Sequence, residues 1–207
     1  MTKTIFILVL AIATFAVGCS SKITSNNSHA GMDHSTMDHG NMDHSAMKSS
    51  PNAATAAYDL QFIDTMIAHH QGAVDMARDC GAKAQHAEIK TLCANIISSQ
   101  QKEIGEMKAW RDKWFAGAAP AMNMEMAGMS DSMKGMDMKK LSALSGNDFD
   151  LEFIRQMTPH HEGAVIMAKE ALQKSTKDEI KTLASAIITA QDAEIKQMKD
   201  WQTTWAK

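Results

Sequence analysis

Apolar positions recur every three or four residues through four stretches of the chain. Between residues 58 and 81, Phe62, Ile63, Met66, His70, Ala73 and Ala77 fall on one stripe when each residue turns the helix by about 100°. Between 86 and 114 the stripe is Ile89, Leu92, Ile96, Gln100, Glu103, Met107, Trp110 and Trp114. These spacings predict helices over 58–81 and 86–114, with Asp59 as a cap near the first start and Gly81 as its stop. The pattern returns over 148–173 and 177–205. Thr176-x-x-Glu179 reads as a capping box ahead of the fourth helix. Pro159 lies inside the third and lacks a backbone donor, so a kink or an opened turn is expected there. Two short-linked amphipathic helices make an antiparallel hairpin, and two such hairpins bury their stripes best against each other. The expected fold is all-α: a ferritin-like four-helix bundle made of two duplicated helical hairpins with a long Met-rich crossover.

The duplication is explicit. Adding 91 to each position carries Leu60–Trp114 onto Leu151–Trp205 without a gap, and roughly 26 of the 55 aligned positions are identical. The repeats therefore span 58–115 and 148–207, with the linker at 116–147. Both keep Met-x-x-His-His: Met66, His69 and His70 in one, Met157, His160 and His161 in the other.

Polar residues on the apolar stripe change the picture from packing to chemistry. Gln100 and Glu103, and their twins Gln191 and Glu194, lie on the face that should be buried. A carboxylate buried without a partner costs several kcal/mol, so each needs a donor or a metal. With the hairpin turn near 83 or 84, antiparallel pairing puts Met66–His70 within one helical turn of Glu103, and repeat 2 does the same for Glu194. His, Glu and Met from facing helices are how bundles build metal sites. The candidate ligands in the bundle are Met66, His69, His70, Met76, Glu103 and Met107, with Met157, His160, His161, Met167, Glu194 and Met198. Adjacent helical residues point about 100° apart, so one histidine of each doublet is expected to be exposed or to support the other. A metal-free His–Glu core pair is the simpler alternative.

Composition adds a second, separate signal. The chain carries 18 Met and 9 His among 207 residues. Met32, His34, Met37, His39, Met42 and His44 form a five-residue Met-Asp-His repeat within 19–57, a Met/His-rich tether too poor in aliphatics to order itself. The linker holds Met122, Met124, Met126, Met129, Met133, Met136 and Met138 among Gly, Ser, Ala and Asp, which does not read as a core pattern. Thioether with imidazole suits Cu(I) or Ag(I), and nearby carboxylate helps Cu(II). A net charge of -3 gives no reason to expect nucleic acid.

The N-terminus reads as a lipoprotein signal over 1–18: Lys3, an apolar run Ile5–Val17, then Ala16-Val17-Gly18-Cys19, with Cys19 as the lipidated residue. The expectation is an exported, periplasmic, membrane-anchored protein. Cys80 and Cys93 stay open between a disulfide, two small buried residues and thiolate ligands, and repeat 2 has Ala171 and Ala184 there.

The string Phe62-Ile63-x-x-Met66-x-x-His69-His70-x-Gly72-Ala73-x-x-Met76-Ala77, followed by Ile97-x-x-Gln100-x-x-Glu103-Ile104-x-x-Met107-x-x-Trp110, resembles the domain of unknown function 305 family, as does its repeat 2 counterpart. The resemblance covers both hairpins and implies a ferritin-like helical bundle, often exported and associated with copper. The family's usual Pro before His-His is present as Pro159 but replaced by Ala68 in repeat 1. The expected function is binding of Cu(I), with Cu(II) or Ag(I) also possible cargo, to sequester it or pass it to a copper efflux or delivery protein without chemical turnover. The alternatives are a ferritin-like metal-dependent oxidase and a structural envelope protein without bound metal.

Overall fold

The computed structural model describes residues 47–206. The expected signal segment, Cys19 and the Met-Asp-His repeats at Met32 to His44 lie outside the described residues. Four long helices carry the fold: α1 (Tyr58–Ala77), α3 (Ala87–Trp114), α6 (Gly146–Lys174) and α7 (Asp178–Trp205). Three short ones fill the connections: α2 (Cys80–Lys83), α4 (Met129–Met133) and α5 (Met138–Ala143). The close-packed pairs are α1 on α3, α6 on α7 and α1 on α6, with α4 laid on α6. This is the expected bundle of two hairpins and one long crossover. Phe62, Ile63, Ile89, Ile96, Phe149, Phe153 and Ile154 are fully buried at its centre. Each such side chain contributes about 1.5–3 kcal/mol by leaving water.

The helix starts differ from the sequence expectation in an instructive way. Asp59 does not cap α1; the N-cap is Ala57, with no side-chain bond. Its buried carboxylate instead accepts from Thr176 N and Oγ1, in the turn between α6 and α7. Its twin Asp150 (59 + 91) accepts from Gln85 N, His86 N and His86 Nδ1, in the turn between α1 and α3. Each hairpin thus supplies an acceptor for the unpaired amides where the other hairpin's second helix begins. Thr176 is used up in this exchange, so the expected capping box does not form, and the N-cap of α7 is Lys177, which makes no side-chain cap bond.

Gly81 does not stop the first helix. It sits in α2, and Cys80 is joined to Cys93 by a disulfide with a Cα–Cα distance of 6.3 Å. Closing that short loop contributes about 3 kcal/mol by restricting the unfolded chain. Pro159 does not end a helix either; α6 runs through it from Gly146 to Lys174.

Residues 47–57 and the linker are more ordered than their composition suggests. Ser50 N donates to Met122 O, and a 3-10 turn at Ala53–Thr55 leads into α1. The linker is stitched first to α1, through Ala121 N to Asp64 and Asn123 to Gln61 and Thr65, then to α6 through Asp137 N to Gln156. Met126, Met129, Met133 and Met136 are buried and belong to the hydrophobic core, so the reading of this segment as a non-core pattern is corrected. A thioether is apolar and flexible enough to fill an irregular surface that a branched side chain would not fit. Met122, Met124 and Met138 stay partly exposed. The docking of α4 depends on Gly163, where a Cβ would come 2.3 Å from Ser132 Cβ and 2.4 Å from Gly128 O.

Candidate metal centre

The histidine doublets sit where α1 crosses α6. His69 and His160, 91 apart, stack with ring centroids 3.7 Å apart and planes tilted by 33°. All four imidazoles are buried, at 0 or 1% exposure, so of the two roles expected for one member of each doublet, exposure or support of the other, exposure does not occur. The reason is the second interface. The face of α1 that leaves α3 turns onto α6, so a residue 100° off the hairpin stripe is still inside.

Each doublet is anchored by the same bond. His70 Nε2 donates to Glu103 Oε2 at 2.7 Å, and His161 Nε2 to Glu194 Oε2 at 2.7 Å. The pairing lies about six residues beyond position 97, which a turn at 83 or 84 would set level with His70, because the turn between the helices centres later, beyond α2. A carboxylate can only accept, so the hydrogen is on Nε2 and Nδ1 is left as the free ring position. The His70 and His161 Nδ1 atoms are buried without a hydrogen-bond partner among the described residues. His69 donates from Nε2 to His160 O at 3.0 Å, which leaves its Nδ1 in the same condition. Burial first, then the neighbouring His70 and His161, hold the His69 pKa well below 6.5 against the opposing backbone bond. His69 is therefore a neutral imidazole with a bare lone pair at neutral pH.

A ring that gives one N–H to a carboxylate and keeps the other nitrogen bare in a dry interior is arranged as metal-bound histidines are. Orphaned buried nitrogens otherwise cost free energy. Glu103 and Glu194, candidate ligands in the sequence, each accept from Nε2 of a buried imidazole. Met66 and Met157 lie one helical turn before the histidines and are fully buried, as are Met76, Met167, Met107 and Met198. Met198 Sδ lies 3.9 Å from Thr158 Oγ1, which places it level with the second doublet. At the twin position Ile67 has no hydroxyl to offer Met107.

Among the described residues no three His, Cys, Asp or Glu side chains form a cluster that could hold an ion. Imidazole nitrogens beside thioethers suit an ion content with few, soft ligands. Gln100 and Gln191 also lie on the apolar stripe. Both are buried, and their Oε1 atoms also lack a partner.

The chain is similar to known proteins in sequence and in fold. The profile of the domain of unknown function DUF305 matches residues 16–111 and 59–202. The Cu(II)-bound structure of CopM is 43% identical, covers 72% of this chain and 99% of its own, and superposes with a TM-score of 0.63. The same protein has been solved with Ag, with Cu(I) and in the apo form. A DUF305 protein from Streptomyces coelicolor is 30% identical over 72% of this chain and 94% of its own, with a TM-score of 0.66. A 55-residue stretch is 38% identical to uncharacterized protein L153 of Acanthamoeba polyphaga mimivirus, 27% of this chain and only 36% of that protein. No described helix is long and apolar enough to cross a membrane. The duplicated His-His and Glu motifs, the two-hairpin bundle and the matched profile place this chain in the DUF305 family.

Proposed function

We propose that this chain is an exported copper-binding protein, held at a membrane by a lipid on Cys19, that sequesters Cu(I) or passes it to an efflux or delivery protein. The observation that carries the reading is the set of buried Nδ1 atoms on His69, His70 and His161, with Nε2 of His70 and His161 committed to carboxylates. The copper and silver complexes of CopM support it. His70, His161 and the His69/His160 pair supply nitrogen, and Met66 and Met157 supply sulfur from one turn away. Met126, Met129, Met133 and Met136 hold the crossover down; Met122, Met124 and Met138 are partly exposed and collect ions from solvent, and the Met-Asp-His repeats add further thioethers to the same task. Cu(II) and Ag(I) are further cargo for the same donors. The role is binding without turnover, so copper-loaded protein should consume no more oxygen than copper alone.

The test is anaerobic competition for Cu(I) against a chromophoric soft chelator, using the full chain and a His70→Ala/His161→Ala variant. The expected result is tight uptake that exceeds Zn(II) uptake under matched conditions and falls in the variant. Preferential Zn(II) or Fe(II) binding, or a variant with unchanged Cu(I) binding, would overturn the proposal.

A further inference from the structure

Two grooves run between α3 and α7, and the shift of 91 residues exchanges them. The first is lined by Glu103, Glu106 and Trp110 of α3 and by Thr182, Leu183 and Ala186 of α7. The second is lined by their twins Glu194, Gln197 and Trp201 of α7 and Thr91, Leu92 and Asn95 of α3. Their volumes are about 680 and about 460 Å³. A water molecule takes about 30 Å³ of liquid, so both admit a hydrated or loosely ligated ion. Each groove contains the glutamate that holds a buried imidazole. Glu103 and Glu194 side chains are each 18% exposed, while the His70 and His161 side chains are 0% exposed. The carboxylate is therefore the part of each pair that water touches.

We propose that these twin grooves are the paths by which ions reach and leave the buried imidazoles, with Glu103 and Glu194 as their inner gates. The proposal rests on the copper-binding reading above. An arriving ion meets the carboxylate first. To pass, the carboxylate swings into the groove, its 2.7 Å bond to Nε2 breaks, and the ring is released to turn towards the ion. Closure restores the bond and leaves the ion in a dry interior. A gate of this kind sets the rates of uptake and release together and leaves their ratio unchanged.

The test narrows the grooves without touching the donors. Ala186 and its twin Asn95 line the grooves and are exposed. In Ala186→Trp, chasing Cu(I)-loaded protein with excess chelator should split the His70/His161-dependent release into two phases, one slowed about tenfold or more. In Ala186→Trp/Asn95→Trp, all of that release should be slow, with stoichiometry and equilibrium competition unchanged. Release from the double variant at the parental rate overturns the access paths. Should the Trp pair unfold, Ala186→Leu/Asn95→Leu is read by the same chase, with slower release again expected and an unchanged rate overturning the paths. A parent chain with no His70/His161-dependent Cu(I) overturns the copper reading instead, so the two failures are distinct.

Discussion

Replacing both supporting carboxylates by amides, Glu103→Gln/Glu194→Gln, should weaken Cu(I) binding by about tenfold per imidazole and leave the metal-free fold nearly as stable as before. The 2.7 Å N–H to carboxylate bonds are at the short end for charge-assisted bonds. Such a bond is worth about 1.5–3 kcal/mol, and its neutral amide replacement about 0.5–1.5. The difference, about 1–1.5 kcal/mol, is close to the 1.4 kcal/mol that corresponds to tenfold in affinity. It acts mainly on the loaded state, because a ring whose Nδ1 binds a cation has a more acidic N–H and gains more from a charged acceptor. The side chains' 18% exposure puts the expectation at the low end of the ten- to hundredfold range. In the metal-free state the amide oxygen still accepts from Nε2. Glu103→Leu, in contrast, leaves a buried donor unpaired and should cost about 2 kcal/mol of folding stability as well. Chelator competition reads the affinity and urea unfolding reads the stability. Unchanged Cu(I) affinity in the double amide variant would refute the idea that these carboxylates act through the imidazoles.

Four further outcomes follow from the same structure. His69, with a pKa held well below 6.5 mainly by burial, is neutral when folded and protonated when unfolded in mild acid. Its contribution is fully present above about pH 6.5 and lost as pH falls from there towards the folded value, so urea midpoints of the metal-free protein should drop below that pH, and His69→Gln should flatten the drop. Cys80→Ala/Cys93→Ala copies Ala171 and Ala184 of repeat 2; it should keep the helical circular dichroism and lose about 3 kcal/mol in urea unfolding. Gly163→Ala should cost about 1–3 kcal/mol by driving a methyl into Ser132 and Gly128. Gly105→Ala, with open space around its Cβ in mid-α3, should stabilise by about 0.5–1 kcal/mol, and thermal melts of the two variants should move in opposite directions.

The parts of this fold that were legible in the sequence are those written in local periodicity or in the repeat. Phe62, Ile63, Ile89 and Ile96 announce two stripes, and the shift of 91 announces the second hairpin. Glu103 on an apolar stripe announced a buried partner, and its level against His70 followed from antiparallel pairing. The linker was not legible, because Met126, Met129, Met133 and Met136 carry no period and a thioether serves equally as core filler and soft ligand. Asp59 looked like a local cap because the amides it serves are 117 residues away. One signal was available: Asp59 and Asp150 are identical and related by the same shift, one position before the aligned block. A duplicated acid at a helix start, with no local need for two, points to a role between the repeats.

That reciprocal role bears on how a metal centre can sit at the crossing of α1 and α6. The His69/His160 stack lies on the relation that exchanges the hairpins, and Asp59 and Asp150 lock each hairpin's start to the other's turn on either side of it. His86 stacks on Trp205 at 3.8 Å, and its twin Lys177 sits 5.2 Å over Trp114, so the same two corners are also closed by rings. Sliding one hairpin along the other would break all four contacts at once. The Nδ1 atoms of His69, His70 and His161 can therefore stay without a hydrogen-bond partner in the interior without the helices shifting to pair them. Ala68 and Pro159, and Ile67 and Thr158, differ beside the donors, and His86 and Lys177 differ at the corners, while Met, His-His and Glu are the same in both. The duplicated frame keeps the candidate donors and their carboxylate partners the same in both halves while positions next to them vary.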